Sequence, residues 1–341
     1  MKKTLMGLML ATLIVCQPVV AAEVAIVIHG GAGTILKKEM SAEQEQAYTA
    51  KLKEAANTGY ALLKAGKPGE YAVVAAIQVL EASPLFNAGV GAVYTYDETH
   101  ELDASIMHGG ALAAGAVAGV KTIKSPIAAA LTVMQKSAHV MLAGSGAEAF
   151  AQEQGLAMVH NSYFDTHRRL EALQDAKARM ARAGRADGGQ QGNEKMGTVG
   201  AVVLDAQGNI VAGTSTGGMT AKRYGRIGDS PVIGAGTYAD NHSCGVSGTG
   251  HGEFFIRYNV AADICARVKY QGVSINRAAQ TVIDELKEAG GTGGVIAMDK
   301  RGNITMPFNT PGMYRASINT DGDLAIGIYR DMQKADERPA N

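Results

Sequence analysis

Two threonines with the right spacing are the first chemistry visible in this chain. Thr198 and Thr216 sit at the outer ends of two apolar runs joined by Asp205-Ala206-Gln207-Gly208-Asn209. Gly208 suits the left-handed position of a three-residue hairpin loop, which pairs Asp205 with Asn209 and, counting outward, Leu204 with Ile210 and Thr198 with Thr216. Opposed residues in such a pair lie roughly 4.5–5.5 Å apart, so one hydroxyl can hydrogen-bond the other or the group it attacks. By itself this is also an ordinary cross-strand Thr–Thr pair. What precedes it favours chemistry: the polar run from Gly184 to Glu194 enters the strand through Gly197-Thr198, placing a hydroxyl beside a deformable peptide bond. Attack of Thr198 on the Gly197 carbonyl would turn that amide into an ester that water can cleave. The new N-terminal amine, with a pKa of about 8, then becomes a base for its own hydroxyl.

Two further clusters could complete such a site. In Ser247-Gly248-Thr249-Gly250-His251-Gly252-Glu253 a strand ends in glycines and a helix begins. Backbone N–H groups there, with the Thr249 hydroxyl, could stabilise an acyl-transfer oxyanion, although a plain glycine-rich turn reads the same way. Gly225-Arg226-Ile227-Gly228-Asp229-Ser230 sets a guanidinium near a carboxylate. They could grip the carboxylate and ammonium of an amino acid, or form a surface ion pair.

The elements that must position these residues come in blocks. A strand from Val24 to Ile28 runs into the turn His29-Gly30-Gly31-Ala32-Gly33, and Ser41 with Gln44 forms a capping box at the start of a helix that ends before Gly66 and Pro68. The spacing predicts further helices over Glu70–Ala82, from an N-cap at Ser125 with Pro126 in the first turn, over 145–155 and over Asp165–Ala183. Strands are predicted over Glu101–Met107 and Gly115–Thr122. Residues 184–197 read as a linker. Beyond it, strand–turn–strand units enclose two predicted helices, Glu253–Gln271 and Ser274–Ala289. Such blocks indicate α+β architecture, an antiparallel core covered by helices in an αββα arrangement.

The whole chain bounds its partners. Its 341 residues carry 32 basic and 32 acidic side chains, which leaves no electrostatic footprint for nucleic acid and favours a small-molecule or peptide substrate. Residues 1–22 read as a signal peptide: Lys2 and Lys3, an apolar run Leu5–Val15, Pro18 and the small-residue site Val20-Ala21-Ala22. The apolar run is shorter than the ~20 residues of a membrane span, so the expectation is an exported chain, periplasmic or secreted, starting near Glu23 and free of the membrane once the signal is removed. Cys16 invites comparison with a lipidated cysteine, but Val15 is too bulky before it. Cys244 and Cys265 remain; an oxidising compartment would permit a bridge, and both read as small buried apolar residues.

Together these motifs closely resemble the plant-type asparaginase and isoaspartyl peptidase family of N-terminal-nucleophile hydrolases. The likeness runs through His29-Gly30-Gly31-Ala32-Gly33, Pro84-Leu85-Phe86-Asn87-Ala88-Gly89-Val90-Gly91, Glu98-Thr99-His100-Glu101-Leu102-Asp103-Ala104, the Gly197-Thr198 strand, Thr214-Ser215-Thr216-Gly217-Gly218, the Gly225–Ser230 loop and Pro307-Phe308-Asn309-Thr310. The resemblance implies a four-layer αββα sandwich, self-cleavage into an α part (23–197) and a β part (198–341), and a dimer of α/β pairs. It implies Thr198 as nucleophile, Thr216 positioning its hydroxyl, Thr249 with Gly250 as oxyanion hole, Arg226 and Asp229 holding the substrate's α-carboxylate and α-amine, and Asn87 supporting the site. No cofactor is required for the chemistry. The loop from Leu80 to Val90 resembles the family's cation loop, in which backbone carbonyls, here of Leu80, Glu81, Ser83, Phe86, Ala88 and Val90, would hold a structural sodium ion. The implied substrates, β-aspartyl dipeptides and asparagine, present the same β-carbonyl. Glycosylasparaginases share the fold and the cut but place aspartate where Gly197 stands.

Two readings from other classes compete. Gly213-Thr214-Ser215-Thr216-Gly217 fits the G-x-S-x-G elbow of serine esterases, with His29-Gly30-Gly31 as oxyanion loop and His242 or His251 to complete a triad; Gly217-Gly218 makes a poor start for the helix such an elbow needs. An exported solute-binding protein would need the Arg226–Asp229 grip but no internal cut.

Overall fold

The computed structural model describes residues 23–183, 197–330 and 332–334. The predicted signal peptide and most of the predicted linker lie outside them. Strand β1 (Ala25–Gly33) leads into helix α1 (Ala42–Lys64), where Ser41 and Gln44 form the full capping box, and then α2 (Gly69–Glu81). Next come β2 (Leu102–His108), β3 (Ala113–Val120), α3 (Pro126–Lys136), β4 (Met141–Ala143), α4 (Gly144–Glu153) and α5 (His167–Ala183). Past the linker, β5 (Val199–Leu204) and β6 (Ile210–Thr216) form a hairpin, followed by β7 (Thr237–Ala239) and β8 (Cys244–Gly250). Helices α6 (Gly252–Tyr258), α7 (Val260–Gln271) and α8 (Ile275–Glu288) precede β9 (Gly293–Asp299), β10 (Ile304–Thr305), β11 (Gly312–Ile318), β12 (Leu324–Gly327) and β13 (Met332–Lys334).

Nine strands make one sheet in the order β13-β12-β11-β1-β5-β6-β2-β3-β4, and four make a second, β10-β9-β8-β7. All pairings are antiparallel except β3 with β4. Side-chain parity produces the layers, because successive residues of a strand point to opposite faces. In β1, Ile26 and Ile28 join the core beneath α1 and α2, whereas Ala25 and Val27 face the second sheet. β5 divides the same way, with Val199, Ala201 and Val203 toward the helices and Val202 and Leu204 toward the second sheet. A third core lies between β8, β9 and α7, α8. The result is the αββα sandwich expected from the block order.

Four local expectations need correction. His29–Gly33 is no turn: β1 runs on through it, with a bulge between His29 and Gly31 where pairing to β11 shifts. The helix expected over 253–271 is two, broken where Asn259 adopts a left-handed φ of 49°. Ser125 stands at the N-cap of α3 but donates its hydroxyl to Glu81 Oε2 at 2.6 Å, a buried carboxylate outcompeting the helix N–H groups. Cys244 and Cys265 are buried as expected, but as a disulfide joining β8 to α7 (Cα–Cα 5.3 Å).

Candidate active site

The hairpin that carries the two threonines folds by the count made above. Gly208 takes φ 79°, Asp205 and Asn209 close the loop, and Leu204 pairs with Ile210 through to Val199 with Ser215. The Asp205 carboxylate accepts the N–H groups of Gln207 and Asn209 and, from α2, of Gly69. The loop is therefore tied to the first turn of a helix. One step beyond Val199 and Ser215, Thr198 Oγ1 donates to Thr216 Oγ1 at 3.1 Å, and both side chains are buried. Parity sets Thr198 on the face of Val202 and Leu204, and Thr216 on that of Ala212, so both point between the sheets.

With the chain continuous through Gly197-Thr198, the Thr216 hydroxyl donates to the Gly197 carbonyl at 3.4 Å while accepting the Gly218 N–H at 3.0 Å. Asn87 fastens this corner: its side-chain amide donates to Gly218 O (2.7 Å) and accepts from Val93 N (3.0 Å), and its carbonyl accepts Gly217 N. From the other side, Gly31, at φ 108°, approaches so closely that a Cβ would lie 2.7 Å from Gly197 Cα and 3.2 Å from Thr198 N. The bulge in β1 thus presses backbone against the Gly197-Thr198 bond.

Thr249, at the end of β8, meets the same bulge of β1, where its Oγ1 accepts the N–H of Ala32 at 3.3 Å. Gly250 follows at φ 156°, and a Cβ there would collide with Thr292 O and Gly293. Behind them runs a seam that sequence reasoning did not assign. His29 Nε2 and Ser247 Oγ are 2.9 Å apart, Ser247 and Thr214 hydroxyls 2.7 Å, and Thr237 Oγ1 receives Ser105 Oγ–H at 2.8 Å and donates to Thr214 Oγ1. Burial holds the His29 pKa down to about 3, against a smaller opposing pull from the Thr198 backbone, so the ring is neutral. The signal was present in His29-Gly30-Gly31, but nothing local pairs a histidine with a serine 218 positions away.

Arg226 and Asp229 have different partners than a simple pair would have. The Arg226 guanidinium makes a two-pronged bridge to Glu253, Nε to Oε1 and Nη2 to Oε2, both 2.9 Å. His251 Nε2 is 3.3 Å from the same Oε2. Burial opposes the Arg226 charge, but Glu253, with help from Asp229 and Asp103, raises the pKa overall. Glu253, absent from the sequence-derived set, leaves Nη1 and one Nη2 hydrogen of Arg226 for another acceptor. Asp229 is fully buried, its Oδ2 has no hydrogen-bond partner among the described residues, and burial lifts its pKa to about 7 despite Arg226 nearby. A Cβ on Gly252 would touch both Arg226 Nη2 (2.8 Å) and Asp229 Oδ1 (3.0 Å), so the two groups flank one small space.

The serine elbow does not form. Ser215 shares the face of Val211, toward the helices, and donates to Glu81 Oε1 at 2.7 Å. β6 ends at Thr216 without a following helix. In the 80–90 segment several backbone oxygens crowd the following glycines. A Cβ on Gly91 would meet the oxygens of Ser83 and Pro84 at 3.0 Å and that of Phe86 closer still, and Gly89 is crowded likewise by Glu81 O. Leu80 O already accepts the N–H groups of Ala82 and Ser83, and Ala88 O that of Gly91. Oxygen ligands of this kind are those a hard cation takes. Among the described residues no cluster of His, Cys, Asp or Glu could hold a metal, and no helix is long and apolar enough to cross a membrane.

A family model described as Asparaginase matches residues 22–328. The chain belongs to the asparaginase family. It is 50% identical to the isoaspartyl peptidase of Salmonella typhimurium over 90% of this chain and 98% of that protein, and 49% identical to the isoaspartyl peptidase of Escherichia coli over 90% and 96%. The isoaspartyl peptidase/L-asparaginase of Mus musculus is 40% identical over 89% and 90%. This asparaginase-family chain thus spans its relatives almost end to end, and its sheets and helices form the sandwich of the N-terminal-nucleophile hydrolases.

Proposed function

We propose that this protein cleaves itself between Gly197 and Thr198 and that the freed Thr198 hydrolyses β-aspartyl dipeptides and L-asparagine. The observation that carries it is the buried Thr198–Thr216 hydroxyl pair at 3.1 Å beside the Gly197 carbonyl, in a chain half identical to isoaspartyl peptidases. In maturation, Thr198 Oγ adds to the Gly197 carbonyl carbon, the C–N bond breaks and an ester forms. Water then hydrolyses the ester, freeing the Gly197 carboxylate and the Thr198 amine. In turnover, that amine takes the Oγ proton as Oγ attacks the aspartyl β-carbonyl. The Thr249 hydroxyl and Gly250 N–H hold the oxyanion. The proton passes to the departing ammonia or amino acid, and a water molecule releases aspartate by the reverse path. Arg226, oriented by Glu253, would take the substrate's α-carboxylate on its remaining N–H groups, and Asp229 the α-ammonium. Asn87 keeps the Thr216–Gly218 corner in place.

Export to the periplasm after loss of 1–22 is part of this reading, and the Cys244–Cys265 bridge supports it, since such bridges persist in oxidising compartments. So is assembly as a dimer of α/β pairs. A sodium ion, held by carbonyls of the 80–90 loop including Ser83 and Phe86, would stiffen the support of Asn87 and take no part in the chemistry. The relatives favour isoaspartyl peptidase over glycosylasparaginase, as does Gly197 itself.

The test is a denaturing gel with N-terminal sequencing of the purified protein, then assays with a β-aspartyl dipeptide and with asparagine. Two fragments are expected, the smaller beginning Thr198-Val199-Gly200, with Thr198→Ala remaining one chain and inert. A wild-type chain that stays whole after prolonged incubation and turns over neither substrate refutes the proposal.

A further inference from the structure

The motif Glu98–Ala104 contains a buried acid that the chemistry above leaves unused. In the β2–β6 pairing Asp103 lies directly opposite Thr216. Leu102, Ala104 and Ile106 point to the helical layer and Met107 to the second sheet, so Asp103 shares the inter-sheet face with Thr216 and Thr198. Across the three adjacent strands the order is Thr198, Thr216, Asp103. Asp103 Oδ1 accepts the Gly119 N–H at 2.8 Å, at the irregularity where β2–β3 pairing slips between Leu102 and Ala104. Its Oδ2 is buried and has no hydrogen-bond partner among the described residues. Burial raises the pKa, with Lys222 and Arg226 pulling the other way.

Hydrogen counting gives that orphan oxygen a task. In the uncut chain Thr216 Oγ accepts from Thr198 and from Gly218 N–H, and its own hydrogen goes to Gly197 O. Cleavage turns Gly197 into a chain end free to leave, so the Thr216 hydrogen needs a new acceptor. If it turned toward Thr198, the nucleophile would lose the acceptor that fixes its hydroxyl. Cross-strand partners have Cβ atoms roughly 4.5–5.5 Å apart, within reach of a hydroxyl and a carboxylate directly or through one water.

We propose that Asp103 is a positioning residue of the matured enzyme: its Oδ2 accepts the Thr216 hydroxyl hydrogen and so keeps the Thr216 oxygen turned toward Thr198. This rests on Thr198 being the nucleophile. The role begins only after the cut, because before it Gly197 O is the acceptor. That separates it from a purely structural duty at the β2–β3 irregularity, which Oδ1 performs in both states.

Asp103→Asn is the discriminating change. It can keep the Oδ1 bond to Gly119 and the side-chain shape, but puts an N–H donor where Oδ2 stood, reversing the direction of the Thr216 hydrogen bond. The expected result is wild-type thermal stability, self-cleavage slowed less than about threefold, and kcat for a β-aspartyl dipeptide lowered at least about tenfold with KM within about threefold. Asp103→Glu, which keeps the acceptor, should recover part of kcat. A matured Asp103→Asn enzyme with kcat within twofold of wild type overturns the inference while leaving the nucleophile assignment intact. Losses of stability, cleavage and turnover in parallel overturn it too, in favour of the structural duty. A wild-type enzyme inert on the dipeptide and on asparagine would instead sink the functional reading beneath it.

Discussion

Asp229→Asn should make this protein more stable in mild alkali and far less active, and the two effects have one cause. Asp229 is fully buried, and its pKa stands at about 7 against an ordinary 3.8. Between those values the unfolded chain has lost the proton that the folded chain still holds. Folding therefore binds a proton, and the stability contributed by neutral Asp229 falls as pH rises, at roughly 1.4 kcal/mol per pH unit. The contribution is complete below pH 3.8 and gone above about 7. Over that interval the loss has an upper bound of about 4 kcal/mol, and Arg226, which would answer the charge, makes on the order of 2 kcal/mol a fairer expectation. Asparagine does not ionise, so the mutant escapes this slope. In urea titrations at several pH values, its stability minus that of wild type should grow from pH 4 to pH 7 and then level off. Meanwhile kcat/KM should fall at least about a hundredfold, because a buried carboxylate no longer meets the substrate's ammonium. In wild type, kcat/KM should drop as pH falls below about 7, where Asp229 takes up its proton. A stability difference that stays flat across this range, or a mutant that binds substrate as well as wild type, would refute the reasoning.

Gly200→Ala should abolish folding or maturation, since a Cβ there would strike Ser247 Oγ and His29 Nε2 in the buried seam. A cost toward the upper end of about 1–3 kcal/mol in denaturant titration is expected for this overpacking if the mutant folds, and a mutant that cleaves at the wild-type rate contradicts it. Replacing both Cys244 and Cys265 by serine opens a bridge spanning 21 positions and should lower stability by about 3 kcal/mol, read as a fall in Tm. Thiol titration of the unfolded, unreduced exported protein should find no free cysteine, because Cys16 lies in the removed signal.

Much of the site was legible because it is local. The Thr198–Thr216 pairing follows from one left-handed glycine and the two-residue alternation of strands, and Gly217-Gly218 already marked the serine elbow as lacking its helix, while the direction of Ser215 toward Glu81 came from the structure. What could not be read were partners brought together by sheet stacking. Glu253 claims Arg226 from the start of α6, and Ser247 meets His29 only because β8 lies across β1 and β5. The break at Asn259 escaped because an apolar period continues on both sides of it.

The sequence by itself determined the hairpin, its register, the glycine before Thr198 and the order of helical and extended blocks, because each depends on neighbours a few residues apart. Tertiary structure alone decided which charges lose water and which polar groups find partners. Burial lifts Asp229 to about 7 and holds His29 near 3. The sheet order also sets Asp103 beside Thr216 with one oxygen to spare, because β2, far back in the chain, docks against the β5–β6 hairpin.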